Sequence, residues 1–285
     1  MNNLFSRRRL ILISRPRFWI YILGPFLIGF IAAGNVAGIS IDTALTILVL
    51  GLFFSFPANL LIYGINDIFD YETDKHNPKK QGYEGLVTPE EQPELRKNIA
   101  MAVIPFMVFS LVLPDMAFWA LLVCIFCSVF YSALPLRAKA NPPFDIIFSS
   151  IIYISPAVVG FFAVGGTSIS WVAVAAGLLW AAAMQTYSAV PDIEADREAK
   201  VKTLATWLGQ RKALLFCLLS YLASAIIGYF YIGIFSFLFG SIYLFLVALA
   251  IANPSQVFDV YKKFPAVNAL LGMFLFFILL FGWGV

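Results

Sequence analysis

The 285-residue chain is 61% hydrophobic and only 12% charged, which is about half the charged share of a typical soluble domain. Its apolar residues form long unbroken runs, and this pattern excludes an ordinary soluble fold. The net charge of +3 gives no reason to expect a nucleic-acid partner, and all three cysteines lie in apolar runs, where a small apolar residue is more typical than a redox pair.

The apolar runs predict nine transmembrane helices, because each has close to the ~20 residues that a helix needs to cross a bilayer. A cleavable signal peptide is not expected, since Arg15, Pro16 and Arg17 interrupt the apolar stretch that follows the first basic residues. We therefore expect an all-α polytopic membrane protein with one domain over residues 1–285. The predicted spans cover residues 18–38, 42–63, 97–113, 115–136, 144–165, 169–190, 212–232, 234–252 and 264–284.

Basic residues determine how the longest apolar run, 213–252, is divided. Basic pairs at 211–212 and 262–263 flank this run, so an even number of crossings places both pairs on one side, and residues 228–233 offer a turn. With nine spans, all 19 Lys and Arg fall on a single side, which the positive-inside rule identifies as cytoplasmic. The N-terminus is then expected in the cytoplasm.

Residues 66–74, NDIFDYETD, concentrate negative charge where the second span meets the cytoplasm. If the helix continues through them, Asn66, Asp70 and Asp74 follow one another at four-residue intervals. Asp67 precedes Asp70 by three, so all four side chains share one face. Like charges this close repel each other, and the pattern makes sense if a divalent cation binds between them. Oxygen ligands without nearby cysteine favour Mg²⁺.

A long polar loop, residues 64–98, follows the second span and is expected to lie over the site. Thr88 is predicted as the N-cap and Pro89 as a first-turn residue of a short cytoplasmic helix that leads into the third span. His76, the only histidine, is more typical of a solvated loop residue than of a catalyst. The loop is expected to be either a lid that excludes water or a plain connector.

The stretch 131–139, YSALPLRAK, ends the fourth span on the same side. Its Arg137 and Lys139 are suited to bind the oxygens of an anionic substrate and to assist the departure of an anionic leaving group. Membrane anchoring by positive charge explains each of them equally well when it is taken alone.

A second acidic pattern lies in residues 187–203, YSAVPDIEADREAKVKT. Asp192 and Asp196 are four residues apart at the cytoplasmic end of the sixth span, so both patterns are expected at one membrane depth. Magnesium held by a few carboxylates usually completes its coordination with water and substrate phosphates. The two patterns with their basic neighbours therefore indicate a diphosphate bridged by Mg²⁺, and ordinary acidic loops beside a membrane are the simpler alternative.

These patterns resemble the UbiA superfamily of intramembrane prenyltransferases. Its motif NDxxDxxxD is complete as Asn66, Asp67, Asp70 and Asp74, its motif DxxxD is met by Asp192 and Asp196, and its Tyr–Lys element resembles Tyr131 through Lys139. The stretches most similar to lycopene elongase/hydratase enzymes, which make C50 carotenoids, are SRPRFWIYILGP (14–25), NDIFDYETDKHNPKK (66–80), YSALPLR (131–137) and PDIEADREA (191–199). The chain departs from related enzymes at Lys200, where these often have glycine; Lys200 is expected to pair with Asp196 or to touch the diphosphate.

The resemblance implies a Mg²⁺-dependent transfer of a prenyl group from dimethylallyl diphosphate to one end of lycopene, ended by water or by proton loss. It implies that aromatic side chains steady the cation; the candidates are Tyr63, Tyr131 and Tyr187. The implied metal ligands are Asn66, Asp67, Asp70, Asp74, Asp192 and Asp196. The implied diphosphate-binding residues are Arg15, Asn66, Arg137, Lys139 and Lys200. The implied catalytic residues are Asp67, Asp70, Tyr131, Arg137, Lys139 and Asp192.

Two alternatives stay open at this point. An aromatic or quinone-precursor prenyltransferase would use the same motifs, and Arg15 and Arg17 could then bind a carboxylate on the acceptor. A transporter would also place acidic residues in a membrane. Its path would need polar steps in the outer half, where only Asp42 and Asp115 are acidic. No protein partner is expected in either case.

Overall fold

The computed structural model describes residues 6–34, 39–75 and 86–282, and every regular element within these ranges is helical. The all-α class is therefore confirmed. His76 lies outside the described residues, as does the rest of 76–85, so both alternatives for the loop stay predictions. The helices are α1 (Arg7–Ile13), α2 (Ile20–Ala32), α3 (Ile41–Phe69), α4 (Tyr71–Asp74), α5 (Gln92–Ser110), α6 (Asp115–Phe130), α7 (Phe144–Ala163), α8 (Trp171–Ala189), α9 (Ile193–Glu198), α10 (Leu204–Leu208), α11 (Gln210–Ile232), α12 (Ile234–Ala252), α13 (Val257–Tyr261) and α14 (Phe264–Leu280), with short 3-10 helices at Pro16–Phe18, Ala138–Ala140 and Pro254–Gln256.

Each predicted span overlaps one of these helices, but fewer of them are long and apolar enough to cross a membrane. Among the described residues five helices suffice alone, namely α3, α7, α8, α11 and α12. Two bent pairs can add one span each: α1 with Pro16–Ala32, bent by 44°, and Pro254–Tyr261 with α14, bent by 52°. Helix α6 is short, since its 16 residues extend about 24 Å against a hydrocarbon core of about 30 Å. The structure thus supports five to seven spans, and the nine-span topology stays a prediction.

The segment before α5 differs from the predicted helix start. The helix begins at Gln92 with Glu91 as its N-cap residue, so the expected start at Thr88 is wrong, although the helix does lead into the third predicted span. The Thr88 amide instead donates to the Glu91 carboxylate over 2.9 Å, within a turn. The Thr88 hydroxyl donates to the Glu90 carboxylate and lowers the pKa of that group below its usual value. Thr88 therefore organises a turn and caps no helix.

The chain divides into two compact units. They comprise Met1–Arg137 with Ser155–Gly166, and Ala138–Ile154 with Thr167–Val285. In the first unit α2 and the end of α7 pack backbone to backbone, because glycines stand at their contact. A Cβ atom at Gly29 would overlap the carbonyl group of Ala157, and one at Gly160 would overlap that of Phe26. Such small residues are a common means of close helix packing in membranes.

The core of the second unit is built around aromatic rings. Tyr221 stacks on Tyr243 with 4.7 Å between ring centroids, and Tyr187 lies 4.7 Å from Phe264. Helices α11 and α12 meet at Gly233, whose φ of 56° is a conformation that glycine adopts without strain. This break confirms the predicted turn within the long apolar run.

We predict that Gly29→Ala lowers the free energy of unfolding by about 1–3 kcal/mol, because the added methyl group has no room against a backbone carbonyl. Gly24→Ala in the same helix is the matched control, since its Cβ would lie 3.7 Å from the Ile20 side chain, an ordinary contact. Thermal unfolding in detergent, followed by circular dichroism, measures both. Equal losses in the two variants would contradict the prediction.

Candidate active site

The first acidic motif lies where α3 ends. The expected continuous helix is interrupted, because α3 stops at Phe69 and Asp70 has φ −105° and ψ 6° before α4 begins. The four-residue hydrogen bonds nevertheless continue: the Asp70 amide donates to the Asn66 carbonyl over 3.0 Å, and the Asp74 amide to the Asp70 carbonyl over 2.7 Å. The motif therefore keeps its helical spacing across the break.

Burial makes the charge of this motif costly. Asp67 is 3% exposed, and Asp70 and Asp74 are each 9% exposed. A buried carboxylate is destabilised unless it is paired, and the C-terminal end of α3 adds the negative end of a helix dipole. Arginines offset this charge: Arg15 Nη2 lies 3.0 Å from Asp67 Oδ1, and Arg137 Nη2 lies 3.5 Å from Asp70 Oδ1. Two cations predicted to bind diphosphate therefore contact the first motif.

Arg15 is held from two sides. Its guanidinium group lies 4.6 Å from the centre of the Tyr63 ring, in addition to its contact with Asp67 one turn further along α3. Its side chain is only 15% exposed. One face of Tyr63 is therefore covered by a protein cation.

Among the described residues, the non-glycine residues with positive φ are Arg15 (52°), Arg137 (40°) and Lys200 (56°). All three were predicted as diphosphate-binding residues. A left-handed backbone costs an L-residue about 1–2 kcal/mol, and such strain is typical of functional sites, where the surrounding structure imposes it. The backbone thus sets these three cations apart from the other basic residues.

Two other residues of the YSALPLRAK stretch, Ser132 and Lys139, belong to different compact units. Ser132 is 1% exposed, and its hydroxyl donates to Asn66 Oδ1 over 3.1 Å. Sequence reasoning missed Ser132, although it adjoins Tyr131, the C-cap residue of α6. Lys139 is half-buried in the 3-10 helix Ala138–Ala140, which begins the second unit. The first unit therefore brings Arg15, Ser132 and Arg137 into contact with residues of the first motif.

The second acidic motif opens α9. Asp192 is its N-cap residue, and the Asp196 amide donates to the Asp192 carbonyl over 2.8 Å, so the predicted four-residue spacing is present. Both side chains are partly exposed. Tyr187, by contrast, is 1% exposed, and its hydroxyl donates to the Val257 carbonyl over 3.3 Å. That tyrosine is therefore a core residue.

Lys200 lies two residues after the last residue of α9, at a position that favours glycine. The Val201 amide donates to the Asp196 carbonyl over 2.8 Å, and the Lys200 amide to the Arg197 carbonyl over 3.1 Å. These two bonds define a Schellman motif, whose left-handed residue is usually glycine. The Lys200 side chain is exposed and forms no ion pair within the described residues, so the expected pairing with Asp196 is not observed.

A buried carboxylate holds the segment that follows Lys200. Asp145 is 4% exposed, and its Oδ2 accepts a hydrogen bond from the Leu204 amide over 2.6 Å. Leu204 is the first residue of α10, and the Thr203 hydroxyl accepts a hydrogen bond from the Thr206 amide in the same turn. Sequence reasoning missed Asp145, although an acidic residue at the start of the fifth apolar run was a signal for it.

The side chains of the first motif are chemically suited to bind magnesium. The first motif offers carboxylate and amide oxygens on successive turns, which are the ligands that Mg²⁺ prefers. No three Asp, Glu, His or Cys side chains within the described ranges converge on one point. An ion bound here would therefore also need water or substrate phosphate oxygens, as is usual for Mg²⁺.

Comparison with known proteins decides the family. Residues 22–280 match the UbiA prenyltransferase family. The chain belongs to this family. It is a prenyltransferase, and its apolar helices make it a multi-pass membrane protein.

Two similar relatives are lycopene elongase/hydratases of archaea. The enzyme of Haloarcula japonica is 38% identical over 264 residues, covering 93% of this chain and 88% of the relative. That of Halobacterium salinarum is 37% identical over 282 residues, covering 93% and 94%. The predicted resemblance is thus confirmed.

A solved UbiA homologue from Archaeoglobus fulgidus, bound to GPP and Mg²⁺, has a TM-score of 0.69 at 19% identity and covers 94% of this chain and 99% of its own. At this identity the likeness shows the fold alone, and the UbiA fold is therefore established for this chain.

We predict that Lys200→Gly raises the free energy of unfolding by up to about 1 kcal/mol. Relief of ~1–2 kcal/mol of left-handed strain exceeds the ~0.5–1 kcal/mol that glycine loses in chain entropy. Lys200→Ala removes the same charge but keeps the strained backbone, so it is expected to leave stability unchanged. Denaturant unfolding in mixed micelles compares them, and equal stability of the two variants would contradict the role of strain.

Asp145→Ala is expected to lower the free energy of unfolding by about 1–3 kcal/mol, because the buried Leu204 amide loses its acceptor. Asp145→Asn keeps an oxygen that can accept this bond, so its loss should be smaller. The same unfolding measurement tests both variants. If Asn and Ala were equally harmful, the hydrogen bond would not be the cause.

Proposed function

We propose that the protein transfers a prenyl group from dimethylallyl diphosphate to an end of lycopene in a Mg²⁺-dependent reaction. The observation that carries this proposal is the complete first motif, with its buried carboxylates and the two strained arginines that contact them. The relatives named lycopene elongase/hydratase support the choice of acceptor.

The proposed metal ligands come from both acidic motifs. They are Asn66, Asp67, Asp70 and Asp74 of the first, and Asp192 and Asp196 of the second. Bound Mg²⁺ would supply positive charge to the departing diphosphate. The carboxylates hold that charge in place, and the hydroxyl of Ser132 orients Asn66 through its 3.1 Å hydrogen bond.

The basic residues are proposed to bind the diphosphate oxygens. A guanidinium group has five N–H donors, so Arg15 and Arg137 can each keep a carboxylate contact and direct other donors to the substrate. Lys139 and Lys200 add two further positive charges. When the C–O bond breaks, its electron pair leaves with the diphosphate, and these donors stabilise the charge that develops.

The allylic cation that remains needs aromatic faces that do not react with it. Of the three tyrosines considered, Tyr187 is buried in the core and one face of Tyr63 is occupied by Arg15. Tyr131, half-buried at the end of α6, is therefore the proposed aromatic residue.

An alkene end of lycopene then attacks the cation, and a tertiary cation forms that water or proton loss can quench. An uncharged acceptor agrees with the absence of Lys, Arg and His from the interiors of the predicted spans. A carboxylate-bearing aromatic acceptor would need a cation, for which Arg15 and Arg17 are the candidates. We further propose nine spans in the plasma membrane, with the N-terminus and the site on the cytoplasmic side.

The purified protein in detergent, given labelled dimethylallyl diphosphate, lycopene and Mg²⁺, should form products heavier by C5 or by C5 plus water. Asp70→Asn and Asp192→Asn should each reduce the rate by about 10²–10³, because charge stabilisation in the transition state is lost. Removal of Mg²⁺ with a chelator should abolish turnover, and its return should restore it.

Asp259→Asn is the matched control, because Asp259 is an exposed carboxylate that pairs with Lys262 over 2.7 Å. It should leave turnover unchanged. Transfer to an aromatic acid but not to lycopene would keep the chemistry and reject the acceptor. Full activity of both motif variants would reject the proposed site.

A further inference from the structure

An ion pair that the proposed reaction does not use lies near the first motif. Arg9 of α1 contacts Glu91 with both terminal guanidinium nitrogens, Nη1 to Oε1 and Nη2 to Oε2, each over 2.7 Å. Arg9 also donates to the Leu86 carbonyl over 3.2 Å, and the Thr88 amide donates to Glu91 over 2.9 Å. The pair joins segments that are 82 residues apart in the chain.

Burial distinguishes this pair from a surface contact. The side chain of Glu91 is 11% exposed and that of Arg9 is 37% exposed. Exposed ion pairs contribute little, whereas a bidentate pair with a buried carboxylate fixes the relative geometry of its two segments. Removing Arg9 would leave the charge of Glu91 buried without its partner, so the pair constrains α1.

The neighbouring residue extends the connection to the first motif. The Gln92 side-chain amide donates to the Ile68 carbonyl over 3.0 Å. Ile68 directly follows Asp67, and its carbonyl belongs to the last turn of α3. Glu91 and Gln92, adjacent in sequence, therefore hold α1 and the end of α3 respectively.

Only one residue separates α1 from Arg15. Helix α1 ends at the buried Ile13, and Ser14 is its C-cap residue. The Arg15 amide donates to the Leu12 carbonyl over 3.0 Å, and the Trp19 indole donates to the Ser14 carbonyl over 3.1 Å. With both sides of the turn held, the direction of α1 sets the direction of the Arg15 side chain.

We infer that Arg9 and Glu91 are positioning residues for Arg15. Their ion pair orients α1 so that the left-handed turn at residue 15 directs its guanidinium group to Asp67 and, in the liganded enzyme, to diphosphate. This inference rests on the proposed function, and it deepens it by assigning a role to residues that touch neither substrate nor metal.

Titration calorimetry with inorganic diphosphate and Mg²⁺, on the full chain in detergent, tests this coupling. Glu91→Gln has the same shape but lacks the charge. It should weaken diphosphate binding about 5- to 10-fold in the unsubstituted protein, and less than about 2-fold in an Arg15→Ala background. Arg9→Lys keeps the charge but loses the bidentate geometry, and it should act in the same direction. Asp259→Asn, a carboxylate change in an exposed pair, should have no effect.

Equal weakening by Glu91→Gln in both backgrounds would overturn the inference, because the pair would then act without Arg15. Unchanged binding in Glu91→Gln and Arg9→Lys would overturn it too. If Glu91→Gln does not fold, as judged by its unfolding transition, Arg9→Lys carries the comparison of backgrounds. Absence of diphosphate binding by the unsubstituted protein would instead overturn the proposed function, which separates the two failures.

Discussion

The local structure of the first unit depends on the burial of carboxylates at the C-terminal end of a long helix. Asp67 and Asp70 lie where the α3 dipole is negative, and both are almost inaccessible to water. Without compensation this arrangement would destabilise the fold by several kcal/mol. Arg15 and Arg137 supply the compensation from other segments, so the position of each arginine follows from the charge of the motif.

Both arginines that compensate the buried carboxylates have a strained, left-handed backbone. Arg15, Arg137 and Lys200 have left-handed conformations that glycine would adopt more easily. Arg15 and Arg137 sit between helices, where the turn brings a long cation towards a carboxylate. Lys200 has a different setting, the left-handed position of a Schellman motif, where its side chain is exposed. All three residues have a strained backbone, but the local structures that impose the strain differ.

Further contacts hold the segments that carry these residues. In the first unit Glu91 binds Arg9 of α1, and Gln92 binds the last turn of α3. In the second unit Asp145 binds the start of α10, four residues beyond Lys200. Each is a buried or partly buried polar contact in an apolar protein, where an unmade hydrogen bond is expensive. Both units thus fix a functional segment by a polar side chain placed far away in sequence.

The sequence by itself determined the helical class, the family, the break at Gly233 and the spacing of both acidic motifs, because these depend on local periodicity, turn residues and short motifs. Only the tertiary structure decided that α3 breaks at Asp70, that α5 begins at Gln92, and that Tyr187 is a core residue. It also decided that Arg15 and Arg137 face carboxylates. It identified three supporting contacts, from Ser132 to Asn66, from the Leu204 amide to Asp145, and from Arg9 to Glu91. These contacts join positions 52 to 82 residues apart, as with Arg15 and Asp67 or Arg9 and Glu91. Local spacing carries no information about such pairs, since they form only when packing brings distant segments together.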